Sequence, residues 1–102
     1  MGKVKRLVAD NLLVIFSKKN CYVCDYIKFV LRNFGANPTI YELDEIETGQ
    51  QVEEELLRLG CSPSVPVVFI RKKLIGGSNE VLSLGIKGGL KPLLIEAKAI
   101  WI

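Results

Sequence analysis

Leu12-Leu13-Val14-Ile15-Phe16-Ser17-Lys18-Lys19-Asn20-Cys21-Tyr22-Val23-Cys24 passes from a run of apolar side chains, through a polar tetrapeptide, into a pair of cysteines. An apolar run this short and without alternation reads as a strand buried on both faces, ending where Ser17 to Asn20 turn polar. Beyond Cys21 the period changes. Val23, Tyr26, Ile27, Val30, Leu31 and Phe34 recur three and four residues apart and Gly35 follows, which predicts an amphipathic helix over 22–34 closed by a glycine. The C-x-x-C pair therefore stands where a buried strand hands over to a helix.

Downstream, Pro38 to Leu43 is rich in β-formers and predicts a second strand before the acidic turn at Asp44 to Glu47. A second helix is expected from about Gln50 to Leu59, with Gly60 closing it. Val65-Pro66-Val67-Val68-Phe69-Ile70 predicts a third strand, with a proline at the one strand position where the missing N–H is tolerated. Arg71-Lys72-Lys73 makes a basic turn into a short fourth strand at Leu74-Ile75, broken by Gly76-Gly77. Ser78-Asn79 is expected to cap a third helix. After Gly88-Gly89, residues 90–102 continue as an apolar helical tail.

The expected order is β-α-β-α-β-β-α plus that tail. A strand–helix–strand opening with a right-handed crossover, followed by a hairpin and a helix, matches a thioredoxin-like α/β fold. The fold class expected is thus a central four-stranded mixed sheet flanked by helices, in one domain spanning 1–102.

Bulk composition narrows the function. The chain has 102 residues, is 49% hydrophobic and 25% charged, and its apolar runs are far too short to cross a bilayer. The basic start is interrupted at Ala9-Asp10-Asn11, so no secretory leader is expected, and Arg6 stands where a myristoylation motif after Gly2 wants Ser or Thr. A net charge of +3, spread along the chain, does not argue for direct nucleic-acid binding. Three cysteines without a leader point to a reducing compartment, and the absence of histidine excludes Cys–His proteases, His-assisted hydrolases and His-containing zinc sites.

The placement of Cys21 matters more than the C-x-x-C spacing. A cysteine at a helix N-terminus faces unpaired backbone N–H groups and the positive end of the helix dipole, both of which favour thiolate. A thiol of pKa about 8.5 is only roughly 3% ionised at pH 7, so a nucleophile needs that value lowered. A dipole contribution of up to about 2 kcal/mol supplies little more than one unit, which leaves a part for Lys18 or Lys19. Cys21 is then the nucleophile. Cys24, one turn later and deeper, is the resolving thiol able to attack a mixed disulfide on Cys21. The competing reading, half of a four-cysteine metal site, leaves only Cys61 as a further ligand; Cys61 itself reads as a loop thiol.

Two more features suit a small peptide anion. If the bond before Pro66 is cis, the Val65 backbone is turned to pair with an extended substrate; otherwise Pro66 simply opens a strand. Gly76-Gly77-Ser78-Asn79 joins close approach to a helix N-terminus that can hold a carboxylate, although most such glycine pairs are only turns.

Ser17-Lys18 before Cys21-Tyr22-Val23-Cys24, then Ser64-Val65-Pro66, then Gly76-Gly77-Ser78-Asn79, resembles a glutaredoxin in order and spacing over nearly the whole chain. Asn37-Pro38-Thr39, Tyr41-Glu42-Leu43-Asp44, Pro63 to Ile70 and the ending Ala99-Ile100-Trp101-Ile102 are similar more narrowly to the land-plant CC-type (class III, ROXY-like) glutaredoxins. The resemblance implies a glutathione-dependent thiol–disulfide oxidoreductase acting on glutathionylated or disulfide substrates. In it Lys18 meets the glycyl carboxylate, Tyr22 flanks the sulfur, Val65 and Pro66 present the backbone for the cysteinyl residue, and Gly77, Ser78 and Asn79 hold the γ-glutamyl end. Two positions depart from the subgroup: Tyr22 stands where a second cysteine is common, and Arg71-Lys72 where the hairpin turn is usually small.

The family also implies alternatives. Leu90-Lys91-Pro92-Leu93-Leu94 resembles its L-x-x-L-L motif, and Trp101 belongs to its A-L-W-L ending. Together they imply a docking tail over about 90–102, in which Leu90, Leu93, Leu94 and Trp101 engage TGA-type bZIP factors and TOPLESS-type corepressors, with residence in cytoplasm and nucleus. On that reading the chain is an adaptor with weak or vestigial catalysis; the other reading of the same leucines buries them on the core. A third implication is a [2Fe–2S] cluster on Cys21 and glutathione shared by two subunits. Otherwise a monomer with no metal is expected.

Overall fold

The computed structural model describes residues 2–96. Four strands, β1 (Leu13–Ser17), β2 (Thr39–Glu42), β3 (Val67–Ile70) and β4 (Lys73–Gly76), form one sheet in the order β2-β1-β3-β4. β1 runs parallel to β2 and antiparallel to β3, and β3 pairs antiparallel with β4. The fold is thioredoxin-like, as the order of elements predicts.

Period-2 alternation along β1 explains the layers. Leu13 and Ile15 pack with Ile27 and Leu31 of α2 (Tyr22–Asn33), Val81 of α4 (Ser78–Lys87), and Leu90 and Leu94 of α5 (Leu90–Glu96). Val14 and Phe16 pack on the other face with Val4 and Val8 of α1 (Gly2–Ala9) and Val52 and Leu56 of α3 (Gly49–Arg58). β3 divides the same way, Val68 and Ile70 to the first layer and Val67 and Phe69 to the second. Both strands are buried on two faces, which is why each appears in the sequence as an unbroken apolar run.

Several expectations need correcting. The expected order lacks its first element: α1 precedes β1, its Val4 and Val8 spaced four residues apart to face α3. Strand β1 is shifted by one residue: Leu12 is half exposed, while Ser17 is fully buried and its carbonyl accepts from Leu43 N. The cap of α4 is Gly77, with Ser78 and Asn79 in its first turn, and the Gly77 N–H donates to the Glu80 carboxylate at 2.7 Å. The residues between the third strand and the fourth take positive φ at Arg71 and Lys72, closing a tight hairpin at the end of the sheet remote from Cys21.

The C-terminal leucines are also corrected. Leu90 and Leu94 are fully buried against β1 and α2, and Leu93 is partly buried beside them, so these side chains are core rather than a displayed docking face. Lipophilic area this well covered is worth more inside than at a surface. Ala99, Ile100, Trp101 and Ile102 lie outside the described residues.

Candidate active site

Register decides where the site lies. Phe16 near the C-terminal end of β1 pairs with Val67 at the start of β3, and Val68 pairs with Gly76 at the end of β4. The loop carrying Lys18 to Cys21, the Val65-Pro66 segment and Gly77 therefore all leave the sheet at one end. At that end a Cβ built on Gly77 would lie 3.4 Å from the Pro66 carbonyl oxygen, ordinary contact distance, so the two segments are direct neighbours.

Cys21 is the N-cap of α2, in extended conformation, and its Sγ accepts from the backbone N–H of Cys24 at 3.1 Å. The two cysteines are joined as a disulfide, with Cα atoms 5.2 Å apart. Cys24 is fully buried and Cys21 half-buried, so the outer sulfur is the one an incoming thiolate or disulfide can reach. Tyr22, the next residue, is 91% exposed, and Tyr26 and Phe29 continue an exposed aromatic line down α2.

The peptide bonds before both Pro63 and Pro66 are cis. Pro66, Gly77, Ser78 and Asn79 line one cavity of about 380 Å³, together with Cys61 and Glu80. Val65, Lys18, Tyr22 and the disulfide are not among its walls, so the expected residues share one end of the sheet but divide between this cavity and the rim around Cys21. Burial, with the Glu80 charge as a smaller cause, pushes the Cys61 thiol above its ordinary value.

Lys18 is engaged. Its Nζ lies 2.7 Å from Glu53 Oε2, and the same oxygen accepts from Ser64 Oγ at 2.6 Å. Those two hydrogen bonds, Lys18 first, hold the Glu53 carboxyl below its ordinary value despite the opposing effect of burial. Lys19 is tied elsewhere, its N–H to Asp44 at 3.1 Å and its ammonium to Glu45 at 3.8 Å. Sequence reasoning missed Glu53 and Glu80. For Glu80 a signal existed, an acidic residue three positions after a helix-capping glycine; for Glu53, lost among three consecutive glutamates on α3, none did.

Among the described residues no three Cys, His, Asp or Glu side chains gather to hold a metal ion, so a cluster on Cys21 would draw its other ligands from outside the chain. Nor is any described helix long and apolar enough to cross a membrane.

A cysteine pair bonded at the head of a helix on a thioredoxin-like sheet defines a thiol–disulfide redox protein. Residues 13–75 match the Glutaredoxin family model. Monothiol glutaredoxin-S4 of Arabidopsis thaliana is 47% identical over 102 residues, covering 100% of both chains, and Glutaredoxin-C1 of Oryza sativa subsp. japonica is 44% identical over 103 residues with the same coverage. Among solved structures, the buckwheat glutaredoxin–glutathione complex superposes with a TM-score of 0.91 at 37% identity, covering 97% of this chain and 90% of that one. The holo form of glutaredoxin C1 from Populus tremula x tremuloides gives 0.88 at 38%, covering 93% and 94%. This chain belongs to the glutaredoxin family.

Proposed function

We propose that this glutaredoxin is a CC-type, glutathione-dependent oxidoreductase that reduces glutathionylated or disulfide-bonded protein thiols through Cys21, in cytoplasm and nucleus. The observation that carries this reading is the Cys21–Cys24 pair at the N-terminus of α2, with Cys21 partly exposed and Cys24 fully buried. The Cys21 thiolate attacks the glutathione sulfur of a mixed disulfide; the protein thiolate leaves, and glutathione remains bonded to Cys21. A second glutathione thiolate then attacks that sulfur, releasing glutathione disulfide and the Cys21 thiolate. Alternatively Cys24 attacks Cys21, glutathione leaves as thiolate, and the disulfide seen here forms.

Binding uses Lys18 for the glycyl carboxylate, the Val65 backbone beside Pro66 for the cysteinyl residue, and Gly77, Ser78 and Asn79 for the γ-glutamyl end, with Tyr22 flanking the sulfur. The clustering of their segments at one end of the sheet, and the cavity walled by Pro66, Gly77, Ser78 and Asn79, support this. A glutathione-coupled assay of wild type against Cys21→Ser tests it. Activity is expected to vanish in the variant, and equal turnover in both proteins would end the proposal.

A further inference from the structure

The binding end of the sheet carries a carboxylate of its own. Glu53 Oε2 receives Lys18 Nζ at 2.7 Å and Ser64 Oγ at 2.6 Å. Lys18 lies three residues before Cys21, and Ser64 directly precedes Val65, so α3 places this carboxylate between the two loops that frame the thiol. An ion pair between two long, partly exposed side chains is ordinarily loose. Here the second donor is a hydroxyl on a residue only 6% exposed, which fixes where the carboxylate sits. The Glu53 carboxyl is correspondingly held in its ionised form. At the other side of the site the Gly77 N–H is likewise taken, by Glu80.

We propose that Glu53 is an internal occupant of the carboxylate subsite at Lys18, competing with the C-terminal carboxylate of an incoming thiol peptide and so setting which small thiols the site accepts. The inference rests on the glutathione reading above. Two carboxylates brought to one ammonium repel each other, so glutathione must swing Glu53 aside or share Lys18 with it. A thiol of the same backbone whose glycyl end is an uncharged ester meets no such competition. Glu53 is thus a selectivity residue: it never touches the reacting sulfurs, and it weakens the site for glutathione in particular.

The test uses full-length Cys24→Ser protein, which keeps Cys21 but lacks the resolving thiol. It is equilibrated with glutathione disulfide and glutathione, and in parallel with the disulfide and thiol of the glycyl ethyl ester. In each exchange the Cys21 thiolate attacks one sulfur of the small disulfide and the other half leaves as thiolate. The adduct is counted by intact mass. Adding Glu53→Gln is expected to raise the adduct equilibrium constant roughly two- to fivefold for glutathione and to leave that for the ester unchanged. No change with glutathione, or the same change with both thiols, overturns the inference. Ser64→Ala, which frees Glu53 to move, should shift the same ratio in the same direction by less, and it decides the matter if the Glu53 variant does not fold. If the Cys24→Ser protein forms no adduct with either disulfide, the glutathione reading itself falls, an outcome distinct from adducts that ignore residue 53.

Discussion

The backbone N–H of Cys24 points at the sulfur of Cys21 across 3.1 Å, so the first turn of α2 addresses the outer member of the pair. In the reduced protein the same geometry turns a helix end toward a thiol that can ionise. Cys61 is in the opposite situation, its charged form disfavoured by burial and by Glu80. Iodoacetamide at pH 7, with site occupancy read by mass spectrometry, should therefore label Cys21 on the order of tenfold faster than Cys61. Comparable rates would remove the basis for calling Cys21 the nucleophile.

Glu53 makes stability depend on acidity in a defined sense. Its folded-state carboxyl titrates below the ordinary value of 4.5, because Lys18 and Ser64 donate to the ionised form. The stabilisation is therefore fully present above that ordinary value and is lost as pH falls through the lowered one. Thermal unfolding of wild type and Glu53→Gln from pH 7 down to pH 3 should show a gap that closes as the solution becomes acidic. A gap of constant size would mean that the carboxylate charge is not what holds the two loops.

Gly49 and Gly85 should respond oppositely to alanine. A Cβ at Gly49 would collide with the carbonyl of Leu43, at the turn from which α3 departs, whereas the one at Gly85 meets open space on α4. Denaturant melts are expected to show Gly49→Ala losing about 1–3 kcal/mol and Gly85→Ala gaining about 0.5–1 kcal/mol. Because Gly49 begins the helix that carries Glu53, its variant should also disturb the Lys18 contact. Equal stability of Gly49→Ala and wild type would show that the turn relaxes freely.

The fully buried Leu94 should behave as a core residue. Leu94→Ala is expected to cost about 2–5 kcal/mol in denaturant unfolding, with Leu93→Ala costing less because its side chain is only partly covered. A Leu94→Ala protein as stable as wild type would reopen that leucine as a docking contact.

What could be read from the sequence followed from chain-local physics. β1 and β3 are buried on both faces and announce themselves as apolar runs; α2 shows its period and its glycine stop, and the Cys21 position follows from where the two meet. α1 escaped notice because its eight residues are only about two turns and show a single apolar repeat, and because its Val4 N–H donates to the buried Glu55, 51 positions away, a contact that leaves no local pattern. Lys28 reads as a solvent position of an amphipathic helix, yet it is 8% exposed, its ammonium 3.4 Å from both Glu42 and Asp25. Contacts of this kind, like Lys18 with Glu53 across 35 positions, depend on the finished fold and leave no local pattern.

The five residues of β1 also act as a spacer of fixed length. Either parity of that strand is apolar, so deleting one residue there would still leave oil on both sides, and the sheet would have grounds to form. The loop beyond it, however, would be reeled in by one strand step, about 3.3 Å, dragging Lys18 off its carboxylate and the outer sulfur away from its neighbours. A frame that tolerates such an error in its interior would thus transmit it undiminished to the chemistry at its rim.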